Sequence, residues 1–147
     1  MKKIRKIIIA GASTFTVKNL GDEAMLLNLV QCINRYDRKI KITLICRHPS
    51  KKIDKLYGIK TIKNLEFDNK SESVGKFFYG FNSTSFSKNL DGIKKNFENS
   101  DMLILAGNVF IDISPNSFLR GLSSFTAQMG VLAKFFNLDF YVTSLNL

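Results

Sequence analysis

Ile4-Arg5-Lys6-Ile7-Ile8-Ile9-Ala10-Gly11, then Asn19 to Tyr36 at helical spacing, then Ile40 to Cys46: this stretch decides the fold. The first piece is a short β-branched run stopped by glycine, the pattern of a buried strand. In the second, Ala24, Leu27, Val30 and Cys32 or Ile33 recur on one helical face, with Leu26 and Leu29 widening it. Asn19 is placed to cap that helix, and Asp22 three residues on imitates a capping box. The third piece is again a β-branched, apolar run. Two strands joined by a long helix form a crossover unit, which is right-handed and makes the strands parallel.

The alternation continues outward. Pro49 opens a short helix to Tyr57, Gly58 ends it, and Ile59 to Ile62 reads as a weak third strand. Residues 63–83 have no clean period and form an irregular insertion around Phe77-Phe78-Tyr79-Gly80-Phe81. Ser85 or Ser87 is placed to cap a helix running to Glu98. Met102 to Ala106 is a second clear buried strand. Asn116 to Phe136 follows as a long amphipathic helix, and Asp139 to Leu145 as the last strand. The expected architecture is α/β: a single domain over residues 1–147, with a Rossmann-like open parallel sheet and helices on both faces. Ligands of such sheets bind beyond the carboxyl ends of the strands. That rule nominates the loops Gly11-Ala12-Ser13-Thr14, Gly107-Asn108-Val109-Phe110 and Thr143-Ser144-Leu145-Asn146.

Composition narrows the class. A chain of 147 residues, 45% of them apolar, can bury a core without disulfides or metals. The formal net charge is +10. Residues 1–60 carry all of the excess, with 14 Lys and Arg against 4 Asp and Glu, whereas residues 61–147 hold 8 of each. Such a skew suits an anionic partner: a phosphate-bearing substrate, an anionic lipid surface or nucleic acid. No nucleic-acid recognition motif accompanies it, so nucleic acid is not expected. Cys32 and Cys46 form no C-x-x-C pair and fall inside predicted elements, where they read as reduced, buried fillers. The basic start Met1 to Lys6 resembles a signal-peptide n-region, but only Ile7 to Ala10 follows as apolar sequence, short of the roughly 7–15 residues required. A cytoplasmic protein is expected, with peripheral contact at the inner face of the membrane.

The candidate chemistry begins at Asn19-Leu20-Gly21-Asp22-Glu23-Ala24. A helix start offers unpaired N–H groups and partial positive charge, and Gly21 lets a ligand approach the backbone. Asp22 and Glu23 also complement the helix dipole without any ligand. Neither G-x-G-x-x-G nor G-x-x-x-x-G-K-[ST] is present. Arg47 stands where an NAD domain wants an acid, which argues against NAD and suits a phosphate. His48, the one histidine, precedes Pro49 in a loop and reads as surface filler, and no metal-ligand constellation is visible. The aromatic stretch Phe77 to Phe86 reads as core under a loop, with a lid or an interaction patch as the alternative.

The run Asn19 to Ala24, with Met25-Leu26-Leu27-Asn28-Leu29-Val30 behind it, resembles the N-terminal signature of polysaccharide pyruvyl transferases. Ser100-Asp101-Met102-Leu103-Ile104-Leu105-Ala106-Gly107 resembles that family's aspartate, apolar strand and glycine-rich turn. Asp112 follows where the family carries an acid, and Phe136 to Val142 resembles the next helix-to-strand step. One departure is Asn108, which stands where the family has a further glycine.

The resemblance implies transfer of the pyruvyl group of phosphoenolpyruvate to two hydroxyls of a sugar, forming a ketal in cell-surface polysaccharide synthesis. It implies no cofactor beyond the donor substrate. The acceptor would be a sugar or lipid-linked saccharide, and a second α/β domain, in the same or another chain, would complete a glycosyltransferase-B-like cleft. Asp22 and Glu23 would be the catalytic carboxylates. Ser13, Asn19, Gly21, Arg47, Gly107, Asn108 and Asp112 would bind substrate. On this reading the 147 residues alone are catalytically incomplete. Two alternatives share the expected fold: a nucleotide-sugar-dependent glycosyltransferase domain and a non-catalytic binding domain.

Overall fold

The computed structural model describes residues 3–10, 20–46, 48–64, 84–106 and 122–143. Its elements run β1 (Lys6–Ala10), α1 (Leu20–Tyr36), β2 (Lys41–Cys46), α2 (Lys51–Tyr57), β3 (Lys60–Lys63), α3 (Thr84–Glu98), β4 (Met102–Ala106), α4 (Leu122–Phe135) and β5 (Asp139–Thr143). The five strands form one sheet in the order β3-β2-β1-β4-β5, and every neighbouring pair is parallel. The expected α/β fold with an open, Rossmann-like sheet is the one present.

Side-chain alternation along the strands builds two cores, one on each face. Ile7 and Ile9 point with Leu44, Ile104 and Ala106 toward Leu26 and Val30 of α1, joined by Ile53 and Tyr57 of α2. Ile8 and Ala10 point with Leu103 and Leu105 toward Ile93 and Phe97 of α3 and Met129 and Ala133 of α4. Residues Ile7 to Ala10 are therefore buried on both sides, which is why β1 reads as unbroken apolar sequence rather than as an alternation. Because α1 and α2 lie on one face and α3 and α4 on the other, the chain winds one way from β1 to β3, then crosses back and winds the other way through β4 to β5. The switch in direction falls between β1 and β4.

Hydrogen bonds clamp the strand starts. Asp101 Oδ2 accepts the backbone N–H groups of Arg5 and Lys6 at 2.9 and 3.0 Å, and the Asp101 N–H donates to the Lys6 carbonyl. This aspartate aligns β4 with β1. A second network ties α2 to β3. Asp54 Oδ1 accepts from the Thr61 N–H at 2.8 Å and the Thr61 hydroxyl at 2.7 Å, while Thr61 Oγ1 accepts the Ser50 N–H at 2.9 Å. Thr61 is buried, so these bonds satisfy groups that would otherwise be stranded.

Several expectations need correction. Cys32 is exposed, as is Ala24, because the buried stripe of α1 runs through Leu26 and Val30 and turns both away from the sheet. Pro49 precedes the short helix instead of opening its first turn: Ser50, in extended conformation, is the N-cap and α2 begins at Lys51. Gly58 ends α2 in the left-handed region (φ 65°), as expected. The third strand is shifted to Lys60–Lys63, so Lys63 belongs to the sheet and Asn64 is buried behind it. The rest of the irregular insertion, residues 65–83, lies outside the described residues. Helix α3 starts at Thr84, which puts Ser85 and Ser87 inside it instead of at its cap. Residues 116–121, the expected start of α4, lie outside the described residues, as do residues 144–147 beyond β5. Among the described residues no helix is long and apolar enough to cross a membrane.

Candidate functional site

In a parallel sheet all strands end at one edge, and strand order decides which ends are neighbours. Ala10 ends β1 and pairs in register with Leu105; Ala106 ends β4 and pairs with Thr143, the last residue of β5. Adjacent strands lie roughly 4.8 Å apart. The three nominated loops therefore leave from three consecutive strands, β1, β4 and β5. Cys46, which ends β2, adds a fourth neighbour on the other side of β1. Both central strands end in a fully buried alanine, a small side chain at the point where the strand order reverses. At the outer strand the Thr143 hydroxyl donates to the Leu105 carbonyl at 3.3 Å, tying the end of β5 to β4.

Helix α1 joins the carboxyl end of β1 to the amino end of the parallel strand β2, so it runs against the strands. Its first turn sits at the same edge as Ala10 and Ala106. That turn holds Gly21, which is exposed, Asp22, and Glu23, which is half-buried. Seventeen residues give the helix a length of about 25 Å, enough to carry the chain back across the sheet. The first-turn N–H groups have no partners within the helix and favour negative charge.

Of the nominated residues, Gly21, Asp22 and Glu23 are thus on one helix start at the carboxyl edge. Ser13, Asn19, Arg47, Gly107, Asn108 and Asp112 lie outside the described residues, as do the Phe77 to Phe86 side chains. His48 is exposed in the loop after β2, in keeping with surface filler. Cys46 is 3% exposed, and burial pushes its thiol up to about 11 against a backbone hydrogen bond from His48 that favours the thiolate. A thiol so shifted is a poor nucleophile near neutral pH. Among the described residues no group of three His, Cys, Asp or Glu is placed to hold a metal ion.

Sequence reasoning passed over two features. Asp101 reads as the opening of a motif, yet its carboxylate is spent on the start of β1. The lysines that open β1, β2 and β3 belong to the basic excess of residues 1–60, and strand order gathers them at the amino edge of the sheet. The recurring signal, a lysine near the start of each of these strand sequences, is visible in the chain; the juxtaposition is not. No protein-family model, curated protein or solved structure matches this chain.

Proposed function

We propose that this chain is the acceptor-side domain of a pyruvyl transferase, which moves the pyruvyl group of phosphoenolpyruvate onto a sugar as a ketal in polysaccharide synthesis. The observation that carries the reading is the strand order. It makes neighbours of the ends of β1, β4 and β5, the strands that bear the three nominated loops, and the first turn of α1 shares their edge. The first turn of α1, which carries Asp22 and Glu23, therefore stands at the edge where the strand order reverses, the place at which open parallel sheets hold their ligands.

Ketal formation needs a proton for the enol carbon, a base for the attacking hydroxyls and cationic groups for the departing phosphate. In this proposal Asp22 and Glu23 handle the protons. Asn19, Gly21 and Ser13 hold the acceptor, Gly107, Asn108 and Asp112 line the other wall, and Arg47 meets phosphate. The donor is held mainly by a second α/β domain. Phe140, Tyr141 and Val142, all exposed on β5, offer that domain an apolar surface.

The test is a thermal-shift comparison of phosphoenolpyruvate with nucleotide-sugars on the intact protein, followed by measurement of phosphate release with sugar acceptors. Stabilisation by phosphoenolpyruvate and acceptor-dependent phosphate release support the proposal. Stabilisation by nucleotide-sugars alone assigns the crevice to glycosyl transfer. Phosphate release by residues 1–147 without any partner removes the two-domain part of the reading.

A further inference from the structure

The opposite edge of the sheet carries a feature that the proposed reaction does not use. A cavity of about 880 Å³ opens at the amino ends of β1, β2 and β3, lined by Lys6, Arg38, Lys39, Lys41, Lys60 and Lys95. All six side chains are exposed, and among the described residues no carboxylate lines the cavity. Lys6 and Lys41 are register partners on adjacent strands, an arrangement in which like charges repel. The Lys60 ammonium donates to Asn96 Oδ1 at 3.1 Å, a neutral acceptor that fixes the head without cancelling its charge. Five of the six cations come from the first 60 residues, so part of the charge skew in the sequence has a location in the fold.

The bland explanation is compensation of helix ends. Helices α1, α2 and α3 finish beside this cavity, and each helix carboxyl end carries about half a negative charge. Three such ends supply about 1.5 negative charges against six positive ones. Asp37, Glu98 and Asp101 flank the lining residues in the chain. Setting each against one cation still leaves an excess of about 1.5 positive charges. The cavity is therefore overcompensated.

We infer that this cavity binds a multiply charged, phosphate-bearing small ligand or headgroup. Its volume lies within the range of about 300–1,000 Å³ typical of small-molecule sites. A duplex is read by a protruding helix or ribbon, and a concave pocket cannot enter its grooves. Single strands stack on aromatic platforms, and among the described residues no aromatic side chain lines the cavity. The six cations line one concavity, and a ligand with several negative charges, a polyphosphate or a phospholipid headgroup, complements such a set.

The experiment uses the full chain at low salt with two probes, inorganic tripolyphosphate by calorimetry and co-sedimentation with phosphatidylcholine vesicles with and without phosphatidylglycerol, and with a single-stranded oligonucleotide by calorimetry as the comparison. The cavity variant is Lys41→Glu with Lys60→Glu. A second, Lys39→Glu with Lys95→Glu, leaves the strands untouched. Lys51→Glu with Lys52→Glu, on exposed positions of α2 outside the lining, is the control of equal charge. At least one probe is expected to bind, with affinity falling about tenfold or more in both cavity variants and less than about threefold in the control. Tripolyphosphate binding identifies a soluble ligand, and binding to the anionic vesicles alone identifies a headgroup. Either supports the site. The inference is overturned if neither probe binds, if the control loses as much as the cavity variants, or if a single-stranded oligonucleotide binds more tightly per phosphate than tripolyphosphate. None of these outcomes depends on pyruvyl transfer.

Discussion

Replacing Cys46 by alanine should remove a titration that weakens the fold in alkali. Cys46 closes β2 in the core beneath α1 and is 3% exposed. Burial disfavours its thiolate and outweighs the His48 backbone hydrogen bond, so the thiol moves from an ordinary 9.0 to about 11. In the unfolded chain the proton leaves near the ordinary value. Between the two values the folded state binds more protons than the unfolded one, and stability falls as pH rises through that window. Two pH units correspond to about 2–3 kcal/mol, a visible share of the roughly 5–15 kcal/mol of a domain this size. Urea unfolding of wild type and Cys46→Ala from about pH 8 to about pH 11 isolates the effect, because lysine and tyrosine titrations are common to both and cancel in the difference. The lead of the wild type over Cys46→Ala should shrink by about 2–3 kcal/mol across that range. Parallel curves would refute the reasoning. A thiol reagent gives an independent reading. Near pH 8 only about one Cys46 in a thousand is thiolate, so the native protein should show one rapid equivalent, from the exposed Cys32, and a second only on unfolding. Two rapid equivalents, or a rapid phase that survives Cys32→Ser, would also refute it.

Three further outcomes are expected. Asp54→Ala breaks both bonds to Thr61 and should cost about 2–3 kcal/mol in chemical denaturation; a loss under about 0.5 kcal/mol would show that α2 does not depend on this network. Gly58→Ala should cost about 1–2 kcal/mol through backbone strain alone, since nothing lies within 4 Å of the added methyl, and Gly58→Asn should cost distinctly less; equal losses would point to packing instead. Under the proposed pyruvyl transfer, Asp22→Asn and Glu23→Gln in the intact protein should each lower acceptor-dependent phosphate release from phosphoenolpyruvate about a hundredfold, and full turnover in both would remove these carboxylates from the proposed chemistry.

The order of elements was legible because the relevant forces are local. Met102 to Ala106 is a strand with the same bounds in sequence and structure, because an unbroken apolar run of five suits a strand buried on both faces. Gly58 as a helix stop followed from the left-handed conformation that glycine adopts freely. The misreadings share one cause. Helical periodicity offers Leu27, Val30 and Ile33 as readily as Leu26, Leu29 and Val30, and only packing against the sheet decides which side of α1 faces inward. That decision exposed Cys32 and Ala24. Likewise Ser85 and Ser87 carry a capping signal that a helix starting one turn earlier overrides.

Of the candidate site, the chain alone determined the residue types and the rule that loops after parallel strands carry ligands. It determined the first turn of α1, with Gly21, Asp22 and Glu23, as a position of unpaired N–H groups. Tertiary structure decided which strands are neighbours. The crossover from β3 to β4 passes over β2 and β1 before pairing, and no local signal encodes that step, because it depends on which edge of the growing sheet is free and on the helix faces left to cover. That crossover brought the ends of β1, β4 and β5 together at one edge, while the successive pairings of β1 with β2 and β2 with β3 gathered their opening lysines at the other. Distant residues became neighbours only because parallel strands share a common direction, which puts all of their starts at one edge and all of their ends at the other.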